Sequence, residues 1–156
     1  MRGEEQKLAG DAAAGGTAGY SGTPLVRKLG LAQGQAAALP GIPESIGDIN
    51  GFAGFASVIH ALPETPQRAF DYVHLFTTER AALEAIAPAL FCVLRPGGMV
   101  WISWPRKSSR VSTNITEDVL RDVLLPTGLV DVKVCAVDEI WSGLKFVIRK
   151  ELRGAL

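Results

Sequence analysis

Apolar side chains recur along this chain in two periods, and the changes between them divide it into elements. The helical period is clearest at Leu83, Ile86, Ala87, Leu90, Phe91 and Leu94, which form one stripe at i, i+3, i+4, i+7, i+8 and i+11. Thr77 or Thr78 is placed to cap this helix, with Glu79 in a first turn where the helix dipole favours an acid. Pro88 interrupts the stripe. A proline in a helix interior removes a hydrogen bond and costs about 3 kcal/mol, so a kink or two abutting helices is expected there. Pro96-Gly97-Gly98 should end the helix and turn the chain, and the apolar run that follows reads as a strand leaving the core at Trp104-Pro105. A second amphipathic helix opens at Thr116-Glu117-Asp118, buries Val119, Leu120, Val123 and Leu124, and ends at Pro126 and Gly128.

The period of two marks the C-terminal part. Val130, Val132, Val134 and Ala136 alternate with Asp131, Lys133 and Cys135. After a turn at Asp138 to Gly143, Leu144, Phe146 and Ile148 alternate with Lys145 and Arg149, which predicts an antiparallel hairpin. Asp71 to Phe76, apolar around His74, reads as a strand covered on both faces. Weaker strands are expected at Gln35 to Leu39, closed by Pro40-Gly41, and at Phe55 to Ile59, closed by Pro63. Thr23-Pro24 should open a short helix from Leu25 to Leu29 that stops at Gly30. Residues 1–19 are rich in Gly, Ala and acids and are expected to be a mobile tail, leaving 20–153 as one domain. The order β-α-β-β-α-β-α-β-β implies an α/β, Rossmann-like fold: a mostly parallel sheet, helices on both faces and a closing antiparallel hairpin.

Composition narrows the classes. With 156 residues, 47% of them hydrophobic and 21% charged, the chain reads as one globular domain. Its 16 basic and 16 acidic side chains cancel, so no overall field recruits nucleic acid or an anionic membrane. The apolar run Ala85 to Leu94 contains Pro88 and is too short to span a bilayer, and the acid-bearing start of the chain does not read as a signal peptide. Cys92 and Cys135 lack metal-like or redox-like spacing; they read as reduced, buried thiols of a cytoplasmic protein.

Phe70 to Phe76, the helix after it, Leu94 to Trp104 and the closing hairpin resemble the second half of class I S-adenosylmethionine-dependent methyltransferases. Tyr20-Ser21-Gly22-Thr23-Pro24-Leu25, Lys28-Leu29-Gly30, Trp104-Pro105-Arg106-Lys107-Ser108, Thr116-Glu117-Asp118 and Val137-Asp138-Glu139-Ile140-Trp141-Ser142-Gly143-Leu144-Lys145 are similar to a family of short bacterial proteins of unknown function, a likeness that supplies no activity. The methyltransferase resemblance implies S-adenosylmethionine held at a Gly-rich turn after the first strand. Here that turn is Leu39-Pro40-Gly41-Ile42-Pro43-Glu44, with a single glycine and two prolines that offer no N–H. The acid implied after the second strand could only be Glu64, behind Leu62-Pro63. No cofactor is therefore the primary expectation, and S-adenosylmethionine the alternative.

Open α/β sheets bind ligands beyond the C-terminal ends of their parallel strands. The loops expected at that rim carry Gly41, Glu44, Thr77, Trp104, Arg106, Lys107, Ser108, Asp138, Glu139 and Trp141, which form the candidate site. Arg106, Lys107 and Arg110 could grip a phosphate or carboxylate. Asp138 and Glu139 are adjacent carboxylates with a minor claim to acid–base work, and Trp104 and Trp141 could stack on a flat ligand. His60 and His74 have no partners at metal-ligand spacing, and His74 reads as a hydrogen-bonded core residue. Ser21, Ser103 and Ser108 lie in no nucleophile motif, and the sequon at Asn114 has no consequence without secretion. The reading is a methyltransferase-like domain that binds a small ligand or a protein partner at this rim. Its alternatives are a divergent methyltransferase, with Trp104, Asp138 and Trp141 shaping an acceptor pocket, or a module that dimerises through its hairpin edge, where Lys145, Arg149 and Lys150 would blunt pairing. The oligomeric state is open.

Overall fold

A computed structural model describes residues 23–156; the tail expected over 1–19 and the turn at Tyr20-Ser21-Gly22 lie outside the described residues. Six strands form one sheet in the order β2-β1-β3-β4-β6-β5. They are β1 (Ala36–Ala38), β2 (Ser57–Ile59), β3 (Phe70–Phe76), β4 (Leu94–Pro105), β5 (Leu129–Ala136) and β6 (Trp141–Ile148). The first four pair in parallel, and β6 runs antiparallel to both β4 and β5. Helices are α1 (Leu25–Lys28), α2 (Gly47–Asn50), α3 (Arg80–Cys92), α4 (Glu117–Leu124) and a C-terminal turn, α5 (Lys150–Arg153), for which the sequence pattern has no signal.

Both faces of the sheet are covered, as the continuous apolar run of β3 requires. On one face Val73, Leu75, Val100, Ile102 and Trp104 pack against Leu83, Ala87 and Leu90 of α3 and Leu120 and Leu124 of α4. On the other, Tyr72, Phe76 and Trp101 pack against Leu29, Ile46 and Ile49, so two four-residue helices and coil do the work of the long helices opposite. Trp101 is wholly buried there and its indole N–H donates to the Leu29 carbonyl at 2.9 Å. The Ala-rich β1 has little intrinsic strand preference. Asp71 anchors it: its carboxylate accepts from the Ala36 N–H at 2.9 Å while Arg95 donates to the same oxygen at 3.0 Å.

Local expectations fail where a distant residue does the job. Pro96-Gly97-Gly98 does not end α3, which stops at Cys92; these residues lie inside β4. Between the pairs Phe70↔Leu94 and Tyr72↔Met99 the fourth strand uses five steps against two, so the turn residues form an excursion within the strand. A Cβ on Gly98 would lie 2.9 Å from the Phe70 carbonyl oxygen. The helix end is held by Arg68, which donates to the carbonyls of Phe91 at 2.8 Å and Leu94 at 2.9 Å with its guanidinium over the Phe91 ring. Pro88 neither divides nor ends α3, because it sits on the exposed side, where the carbonyl it leaves unpaired can bond to water.

The cap of α3 comes from neither Thr77 nor Thr78. The Arg80 N–H donates to Asn114 Oδ1 at 2.7 Å, and Thr113 donates to the Thr78 carbonyl at 2.7 Å. Thr23 gives α1 no side-chain cap; the Pro24 carbonyl accepts from Arg27 and Lys28 instead. The helix α4 opens where expected, and Thr116 caps it, accepting from the Val119 N–H at 3.2 Å. In β5 the alternation breaks at an irregularity between Asp131 and Lys133. Val132 and Val134 are about half exposed on this edge strand, at 51% and 49%, while Cys135 is buried. Cys92, expected to be buried, is exposed.

Candidate functional site

The strand order reverses between β1 and β3, which makes the carboxyl ends of these strands the switch point where open α/β sheets place ligands. Here the two chains stay joined beyond the ladder: the Phe76 N–H donates to the Pro40 carbonyl at 3.1 Å. Gly41 follows with φ of +74°, and a Cβ there would lie 2.5 Å from the Phe76 carbonyl oxygen. Its missing side chain lets the loop lie against the neighbouring strand. The Asn50 amide then donates to the carbonyls of Pro43 at 2.9 Å and Glu44 at 3.4 Å, folding the loop onto α2 and leaving the Glu44 side chain exposed. The second strand ends at Ile59 and is followed by exposed His60; Glu64 stands further on, also exposed.

A second group of rim residues forms a tied block. The Arg106 N–H donates to the Ile140 carbonyl at 2.8 Å and its guanidinium to the Asp138 carbonyl at 3.3 Å. Asp138 Oδ1 accepts from the N–H groups of Ile140 at 2.8 Å and Trp141 at 2.7 Å. This carboxylate holds its own turn, as Asp commonly does. Glu139 is exposed and makes no pair with it. The Thr77 N–H donates to the Ser103 carbonyl at 3.0 Å, and its hydroxyl accepts from the Glu79 N–H at 3.4 Å.

The two tryptophans do not converge. Trp104 pairs in register with Ser142, and Trp141 with Pro105, so they lie on opposite faces of the sheet. Trp104 packs into the α3–α4 core, whereas Trp141 stands edge-on to Phe76, with ring centroids 5.2 Å apart. The ten candidate residues are therefore divided. Gly41 and Trp141 meet at Phe76, Arg106 and Asp138 brace the hairpin, and only Trp104 and Lys107 border an open cleft.

That cleft, of about 730 Å³, lies between the chain leaving β4 and the start of α4. Its apolar wall is Trp104, Pro105, Val111 and Ile115. One rim carries Lys107 and Arg110, neither of which has an acidic partner among the described residues. Arg110 adopts φ of 62°, the left-handed conformation that ends the 3-10 turn Lys107–Ser109. The opposite rim is Thr116, Glu117, Asp118 and Arg121. There Arg121 pairs with Glu117 at 3.0 Å, Asp118 at 3.4 Å and Asp131 at 3.1 Å, and hydrogen bonds to Asp131 and then Glu117 hold its guanidinium above its ordinary pKa. Arg121 and Ile115 carried no sequence signal for this site, since only the packing of α4 brings them beside Trp104.

A buried polar row crosses the other face. Tyr72 Oη is 2.8 Å from His74 Nδ1, and His74 Nε2 is 2.7 Å from Ser103 Oγ. His74 also stacks on Phe76, with centroids 4.4 Å apart. Burial lowers the His74 pKa to about 3, so the imidazole is neutral, and burial likewise raises that of Tyr72. A serine beside a histidine is the geometry of an activated nucleophile, but both side chains are wholly shielded from solvent, which makes this a core network. Among the described residues no group of His, Cys, Asp and Glu is arranged to hold a metal ion, and no helix is long and apolar enough to cross a membrane.

No protein family's sequence profile and no curated protein matches this chain. Solved structures do. A SAM-dependent methyltransferase from Aquifex aeolicus is 13% identical, with a TM-score of 0.57 over 80% of this chain and 87% of that one. Magnesium protoporphyrin IX methyltransferase from Synechocystis PCC 6803, with bound SAM, is 12% identical, with a TM-score of 0.52 over 80% and 74%. The fibrillarin pre-rRNA processing protein of Methanococcus jannaschii is 10% identical, with a TM-score of 0.52 over 75% and 67%. The shared property is the fold: this chain has the Rossmann-like architecture of class I S-adenosylmethionine-dependent methyltransferases, with its mostly parallel sheet and terminal antiparallel hairpin.

Proposed function

We propose that this chain uses the methyltransferase fold as a ligand-binding module, taking a small organic anion with a flat apolar part in the cleft between β4 and α4. The observation that carries this reading is the cleft itself: an apolar wall of Trp104, Pro105, Ile115 and the exposed Val111, beside Lys107 and Arg110, which have no acidic partner among the described residues. Pockets that hold small molecules combine such a wall with a few placed polar groups, in volumes of about 300–1,000 Å³. Lys107 would supply a point charge and Arg110 a fork for a carboxylate or phosphate.

The described residues fit S-adenosylmethionine poorly at the switch point. The space a Gly-rich loop would open to a ligand is taken at Gly41 by the Phe76 carbonyl, and no acid directly follows β2. A divergent methyltransferase is the second reading, favoured by the coverage of the Aquifex enzyme, of which this chain matches 87%.

Benzoate, as a ring-bearing carboxylate, tests the first reading by amide chemical shifts. Saturable shifts at Trp104, Lys107, Arg110 and Thr116 are expected, weakened at least about tenfold, or ~1.4 kcal/mol, by Lys107→Ala with Arg110→Gly. Glycine relieves the positive φ at residue 110, so this variant should keep its stability. No saturable shift at these positions, or equal binding by the variant, overturns the reading.

A further inference from the structure

The hairpin holds a charge arrangement that neither the cleft nor the rim explains. Lys133 of β5 and Lys145 of β6 are direct cross-strand partners. Like charges placed opposite each other in an antiparallel pair destabilise it. Neither ammonium has an acidic partner among the described residues. Lys145 lies in register with Trp101 and is half-buried. Of the acids on the hairpin, Asp131 is paired with Arg121, Asp138 is bound to its own turn, and Glu139 is exposed in that turn.

From this juxtaposition we infer that Lys133 and Lys145 form an anion site on the β5–β6 hairpin that takes a phosphate group. Two ammonium groups on directly facing residues can share the oxygens of one multiply charged anion, and its binding relieves the repulsion between them. The inference is independent of the cleft, which lies on the opposite face of the sheet. Burial, and then Lys133, lowers the Lys145 pKa, the direction that a nearby anion would reverse. The phosphate could belong to a small polyphosphate or to a nucleic-acid backbone. The neutral charge of the whole chain favours the small ligand, since only a local pair is available to bind it.

Pyrophosphate titrated into the full chain, against chloride at matched ionic strength, tests the site by thermal unfolding and amide shifts. Millimolar pyrophosphate is expected to raise Tm by several degrees and to shift the amides of Lys133, Cys135 and Lys145. Both effects should vanish in Lys133→Gln with Lys145→Gln, while the amide spectrum of the variant keeps the dispersion of the parent. Lys133→Gln alone, at an exposed position, keeps the test available should the double variant misfold. A single-stranded oligonucleotide forms the second arm; binding it more tightly than pyrophosphate would overturn the small-ligand assignment. A parent whose Tm and amides do not respond to pyrophosphate, or a response that survives in the variants, would show the pair to be only a repulsive contact and overturn the site.

Discussion

At the scale of single residues, Gly41 and His74 state the physics most sharply. Gly41 has φ of +74° and no room for a methyl group against the Phe76 carbonyl. Gly41→Ala is therefore expected to destabilise the fold by roughly 1–3 kcal/mol, the usual cost of a non-glycine residue in a strained backbone position, measurable by urea unfolding. Unchanged stability would mean the loop is not locked to β3. His74 has a folded pKa of about 3 against an ordinary 6.5. Between these values the unfolded chain takes up a proton that the folded chain refuses. Stability should thus fall as pH drops from about 6.5 towards 3, by up to ~1.4 kcal/mol per pH unit. Urea unfolding across that window checks the slope, and His74→Gln should flatten it relative to the parent.

Elements show how far local pattern reaches. The helical stripe from Leu83 to Leu90, the start of α4 and the hairpin were all legible, because each is written in residues a few positions apart. The cap of α3 was not: Asn114 reaches the Arg80 N–H across a sequence separation of 34. Asn114→Ala should accordingly cost about 1 kcal/mol, the usual worth of a side-chain cap, and loosen the loop that forms one wall of the cleft. Hydrogen exchange at the start of α3 would report it, and unaltered protection there would contradict the assignment. Pro-Gly-Gly reads as a helix stop by its turn chemistry, yet the same chemistry serves an excursion inside β4, and only pairing with Phe70 and Tyr72 distinguishes them. The division of the candidate rim residues has a similar cause. Whether Trp104 and Trp141 share a face depends on the register between two strands, which no local spacing encodes.

For the whole molecule, one sheet face is built on α3 and α4 and the other on the aromatic residues of β3 and β4. Trp101 is central to the second face, fully buried and bonded to the Leu29 carbonyl 72 positions earlier in sequence. Trp101→Ala should cost about 3–5 kcal/mol by thermal or urea unfolding, the range for truncating a buried aromatic. A near-native result would mean that α1 and α2 are not held by this contact. The fold is that of class I methyltransferases, while Pro40, Gly41 and Phe76 join β1 and β3 across the switch point. That junction closes the position where the fold would hold its cofactor, and calorimetric titration of S-adenosylmethionine and S-adenosylhomocysteine into the full chain tests whether it stays closed. No saturable heat up to millimolar ligand is expected. Binding in the micromolar range would mean that the junction opens, contradicting that closure and making the divergent methyltransferase the better reading.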